Sequence, residues 1–112
     1  MNLERLNAYH IMWVFVFFDL PVVAKYQRRK AAYFRKGLEK SGFNMMQYSV
    51  YTRHCASREN AEVHVNRVKS MIPAEGRVSV LQITDKQYGN IINFWGAKTT
   101  RLPPGPRQLE LF

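Results

Sequence analysis

Met12-Trp13-Val14-Phe15-Val16-Phe17-Phe18-Asp19, cut off by Leu20-Pro21, is the stretch on which the fold turns. The run is β-branched and aromatic, and too short for a buried helix. It reads as a strand buried on both faces and therefore central in its sheet. Upstream of it, residues 1–11 form a leader. Downstream, a helix is expected from about Val23 to Lys40, because Ala24, Ala31, Phe34 and Leu38 cluster on one side, with Gly42 as its stop signal.

The remainder alternates in the same way. Phe43–Cys55 is rich in β formers and long for one strand; it is either that or a tight hairpin pivoting near Asn44–Gln47. Ser57 is placed to cap a second helix, with Glu59 and Glu62 near its positive end and a core stripe of Ala61, Val65, Val68 and Ile72. Pro73 ends it, and Arg77–Thr84 is another strand. Thr84 or Asp85 then opens a short helix through Tyr88, Ile91, Ile92 and Trp95, closed by Gly96. Residues 97–106 read as a stiff loop, with Pro103, Pro104 and Pro106 around Gly105, and Gln108–Phe112 alternates like a short edge strand. Strands separated by helices imply an α/β sandwich. The arrangement that fits the length is α+β and ferredoxin-like, βαββαβ, with a four-stranded antiparallel sheet, two helices on one face and a C-terminal edge strand. The domain itself spans 12–96, and 97–112 is an arm.

Composition bounds the function. The 112 residues suffice for one domain with a real core, and 46% apolar residues exclude general disorder. A single cysteine, Cys55, excludes a disulfide framework or a multi-cysteine zinc site. The longest apolar run, Ile11–Phe18, falls far short of the roughly 20 residues that cross a bilayer. The N-terminus lacks the features of a secretory signal. A cytoplasmic protein with no membrane partner is expected. The 17 Lys and Arg exceed the 8 Asp and Glu by nine, a surplus that attracts polyanions, above all nucleic acid. Residues 25–40 hold seven of those basic residues and one acid, Glu39; Lys25, Arg29, Lys36 and Lys40 share the face opposite the apolar one. That face suits phosphate, or else is an ordinary solvated face.

The chemistry centres on Asp19. The chain has two aspartates, and this one ends the apolar strand. It reads either as a magnesium ligand for phosphodiester chemistry or as the N-cap of the helix beginning near Val22. One carboxylate is a poor metal site, so a second has to come from another subunit through a two-fold axis. His10, His54 and His64 show no ligand spacing and read as surface or satisfied histidines. Cys55 beside His54 is a weak nucleophile pattern, because neighbours in a strand point to opposite faces. No phosphate loop is present, since no GxxxxGK occurs. Tyr48, Tyr51, Phe43 and Arg53 could form a surface for single-stranded RNA, but core or dimer packing reads better.

Val14–Pro21, the basic helix running into Leu38-Glu39-Lys40-Ser41-Gly42-Phe43, Met46–Tyr51 (MQYSVY) and Gly76–Tyr88 (GRVSVLQITDKQY) together resemble the CRISPR-associated protein two family, the small adaptation subunit, in its type II version. The resemblance covers about residues 12–95. It implies a symmetric homodimer that bridges dimers of the CRISPR-associated protein one integrase and holds duplex DNA during spacer acquisition. It also implies that, in members described as nucleases, Asp19 and its symmetry mate bind Mg2+. On that reading the duplex meets Lys25, Arg28, Arg29, Lys36, Arg53 and Arg77, contacts that position phosphate without reading sequence. The alternative is a magnesium-dependent endonuclease acting on RNA or DNA through Asp19. Leu109, Leu111 and Phe112 are expected to add a strand to an edge of the partner subunit or the integrase.

Overall fold

The computed structural model describes residues 10–101, with side chains through residue 97. The expectations for residues 1–9 and for the arm beyond 101, including Leu109, Leu111 and Phe112, lie outside the described residues. The order is β1 (Met12–Asp19), α1 (Lys25–Lys40), β2 (Asn44–Gln47), β3 (Val50–Cys55), α2 (Arg58–Ser70), β4 (Arg77–Thr84), α3 (Asp85–Gly89), β5 (Ile92–Trp95) and β6 (Lys98–Arg101). The first four strands form one antiparallel sheet in the order β2-β3-β1-β4, the ferredoxin-like topology.

The central strand sorts its residues by parity. Met12, Val14, Val16 and Phe18 pack with Phe34 and Leu38 of α1 and Ala61 and Val68 of α2, so both helices cover one face. Trp13, Phe15 and Phe17 line the other. Phe15 is buried there, whereas Phe17 is 39% exposed. Among the described residues, one end of this face is roofed by α3, which stacks Tyr88 on Trp13 with ring centroids 3.6 Å apart, and the Trp13 indole Nε1 donates to Asp85 Oδ1 at 2.7 Å.

Helix α1 begins two residues later than expected. Its N-cap is Ala24, which has no capping side chain; instead the Ala24 N–H donates to Gln27 Oε1. The helix ends in a Schellman turn: Gly42 takes φ +85°, its N–H reaches Glu39 O, and the Phe43 N–H reaches Leu38 O. In α2, Ser57 Oγ accepts from the Asn60 N–H at 3.0 Å, the expected cap. Its fully buried residues are Ala61, His64 and Val68; Val65 is half-buried and packs against the core as expected, while Ile72 lies exposed beyond the helix end. His64 is therefore no surface residue, and its buried Nδ1 has no hydrogen-bond partner among the described residues.

Two further expectations are corrected. Phe43–Cys55 is a hairpin, but it turns at Tyr48-Ser49, not within Asn44–Gln47, because Ser49 adopts φ +65° between the paired Gln47 and Val50. The helix expected to run to Trp95 stops at Gly89. Ile92–Trp95 is instead a strand that folds back through Gly96, φ +65°, onto Lys98–Arg101, so the segment read as loop is partly strand.

Candidate active site and nucleic-acid interface

Asp19 closes β1 directly opposite Arg77, the first residue of β4. The approach is tight because Gly76, φ +101°, precedes Arg77; a Cβ there would sit 2.8 Å from the Asp19 carbonyl oxygen. From the other side, Ser49 O accepts the Phe18 N–H at 3.1 Å and ties the β2–β3 turn to the same strand end. These three chain segments enclose an open concavity of about 360 Å³ holding Asp19, Ser49, Tyr48, Arg77 and Ser79.

The Asp19 side chain is exposed and caps nothing, since α1 starts from Ala24. No hydrogen bond or ion pair from the described residues reaches its carboxylate. The N-cap alternative is thereby removed. A carboxylate and neighbouring hydroxyls are hard oxygen donors of the kind magnesium takes. Among the described residues, however, no three His, Cys, Asp or Glu side chains converge. The donor chemistry fits magnesium, and the donor count of one chain does not; the fit requires a second Asp19.

The basic residues separate into two groups. Lys25, Arg29 and Lys36 are exposed on α1, and Arg77 is exposed beside Asp19. Arg28, though exposed, folds back so that Nη1 donates to Val22 O and Val23 O at 3.1 and 2.7 Å, bracing the entry to α1. Arg53 is spent on the fold: Nε donates to Ser41 O at 2.8 Å and Nη1 to His54 O at 2.6 Å, joining β3 to the end of α1. Neither role was visible in sequence, because both are made with main-chain carbonyls that no motif announces.

The proposed aromatic surface divides likewise. Phe43 and Tyr51 are core residues. Burial, with the Glu39 carboxylate beside it, pushes the Tyr51 phenol above 10.0. Tyr48 alone is presented to solvent, 75% exposed. The Cys55 thiol is fully buried and pushed up by that burial, which makes it an inert core side chain. His54 is exposed and meets the edge of Trp13, 5.2 Å between centroids. No described helix is long and apolar enough to cross a membrane.

Known proteins resemble this chain in sequence. The sequence profile of the family described as CRISPR associated protein Cas2 matches residues 12–91, from the strand that ends in Asp19 to just past α3. A protein of Flavobacterium psychrophilum named CRISPR-associated endoribonuclease Cas2 is 49% identical over 108 residues, covering 96% of this chain and 94% of its own. Its namesake in Parvibaculum lavamentivorans is 52% identical over 101 residues, 90% of this chain and all of its own. One from Rhodospirillum rubrum, Cas2 2, is 47% identical over 111 residues, 95% of this chain and 98% of its own. With the family profile matching residues 12–91 and relatives about half identical over nearly the whole chain, this chain belongs to the CRISPR-associated protein Cas2 family.

Proposed function

We propose that the chain is a dimeric, magnesium-dependent endonuclease acting on RNA, with Asp19 of each subunit carrying the chemistry. The observation that supports it is the Asp19 carboxylate itself: exposed, neither cap nor ion pair, and set in an open concavity beside Arg77. The choice of RNA draws on the relatives, which are named endoribonucleases. Two Asp19 side chains facing across a two-fold axis would hold one magnesium ion, whose chemistry is to activate water and offset charge on the scissile phosphate. Arg77 is placed to orient the phosphate by charge-assisted hydrogen bonds. The dimer is supported by the sheet face that the described residues leave uncovered, where Phe17 and Leu81 are 39% and 47% exposed, and by β4, an eight-residue strand at the sheet edge.

The test is cleavage of single-stranded RNA and duplex DNA by purified protein with and without magnesium, wild type against Asp19→Asn. The expected result is magnesium-dependent RNA cleavage, reduced at least about a hundredfold in the variant, the scale of losing one charge-stabilising group. Equal cleavage by both proteins would overturn the reading.

A second reading is favoured by the exposed Lys25, Arg29 and Lys36 on α1: a dimeric scaffold that holds duplex DNA for spacer acquisition and bridges integrase dimers. It predicts that Asp19→Asn folds, binds duplex DNA and supports insertion by the integrase.

A further inference from the structure

We infer that Tyr48, braced from behind by Arg35, is a stacking platform for an unpaired nucleobase of the strand whose phosphate lies at Asp19. The Arg35 guanidinium carbon sits 4.6 Å from the Tyr48 ring centroid and 5.7 Å from that of buried Phe18. The cation is thus held between a core ring and a surface ring. It contacts one face of the phenol; among the described residues no other ring or cation packs on Tyr48. A lone exposed tyrosine is ordinary. This one differs in being fixed on three counts. Arg35 holds the ring, Ser49 at φ +65° sets the turn, and the Phe18 N–H anchors that turn through Ser49 O.

The platform is also in the right place. Tyr48 and Asp19 border the same concavity, which Arg77 also lines. A phosphate drawn to Arg77, beside Asp19, therefore brings its own base toward the phenol in the same concavity. Every base has a π-face, so a tyrosine ring accepts any of them, and a guanidinium behind the ring adds cation–π attraction. A base inside a blunt duplex is already stacked and gains nothing. The platform consequently selects unpaired bases, whether in an RNA strand or in a single-stranded DNA overhang. The inference rests on the Asp19 site for the choice of strand, but stacking is measurable without cleavage.

The experiment uses the full chain without magnesium. Three probes are titrated: a single-stranded RNA carrying 2-aminopurine, a DNA duplex with a 2-aminopurine overhang, and the same duplex blunt. Tyr48→Leu is expected to weaken binding of the first two about tenfold and to abolish the change in 2-aminopurine fluorescence. Tyr48→Phe is expected to keep both, and blunt-duplex binding to stay unchanged in either variant. A defect confined to the RNA probe assigns the base to RNA, and one on both probes assigns it to any single strand. Unchanged affinity of Tyr48→Leu for both single-stranded probes, or an equal loss on the blunt duplex, would overturn the inference. Repeating the titration in the Asp19→Asn background separates the two ideas. A Tyr48 effect that persists beside intact cleavage in Asp19→Asn sinks the endonuclease reading and leaves the platform standing.

Discussion

At the scale of single residues, the site owes its shape to a glycine, and a buried histidine is expected to make the fold sensitive to acid. Gly76 lets β4 start against the main chain of Asp19 and Leu20. Gly76→Ala forces a side chain into a left-handed conformation and against backbone at 2.8 Å. Denaturant unfolding should show a loss of about 1–3 kcal/mol, with RNA cleavage falling further than that loss explains. Gly96, also at positive φ but with nothing within 4 Å of an added Cβ, should cost less when replaced by alanine. His64 is held below its ordinary value of 6.5 by burial, with Arg53 and then Arg67 adding repulsion. The folded chain keeps it neutral while the unfolded chain takes up a proton as the pH falls through 6.5. Its share of stability is therefore complete above that pH and lost progressively below it. Urea midpoints at pH 8 and pH 5 should diverge for the wild type and lie closer together for His64→Leu, which also removes an unpaired buried nitrogen. Parallel shifts in the two proteins would discard this account.

At the scale of elements, α1 carries two duties on two faces. Phe34 and Leu38 are fully buried against β1, so Phe34→Ala should cost about 3–5 kcal/mol and threaten folding. Arg29 and Lys36 are solvent-exposed, so Arg29→Glu with Lys36→Glu should leave the melting curve nearly unchanged. Duplex affinity should nevertheless fall on every sequence, and the log–log salt slope should flatten by about 1.8 for each subunit that contacts the duplex. A changed sequence preference with an intact slope would refute phosphate positioning. The division was legible in sequence because helical periodicity writes it locally. So were the central strand, from its short uninterrupted apolar run, the Ser57 cap, from its side chain, and the last core strand, from its β formers. The segment after Asp85 was not. Tyr88, Ile91, Ile92 and Trp95 fall at helical spacing, yet Gly89-Asn90 breaks the helix and pairing with Lys98–Arg101 makes a strand of Ile92–Trp95. Pairing partners across a turn carry no weight in a periodicity count. In the site, the apolar run pointed to Asp19, but its freedom from capping depended on Ala24, a residue with no capping side chain. Arg53 reads as a surface cation until the Ser41 and His54 carbonyls are seen around it.

At the scale of the whole molecule, the described residues finish the sheet on one side only. The helices seal one face, while α3 roofs the Trp13 end of the other and leaves Phe17 and Leu81 in water. Apolar side chains on an uncovered face beside an eight-residue edge strand favour association with a second copy. Sedimentation at micromolar concentration should give a dimer, and Phe17→Glu with Leu81→Glu should shift it toward monomer without loss of helical signal. A double variant that stays dimeric would place the interface elsewhere.

One carboxylate per chain also has a genetic meaning. If each site is assembled from two halves, an inactive subunit poisons the active one it meets. Mixing wild type with Asp19→Asn in equal amounts and letting the subunits exchange should leave about a quarter of the activity, because only pairs of two intact chains count. A site complete within one chain would leave about half. The allele would then be dominant over the wild type, in proportion to the square of the intact fraction.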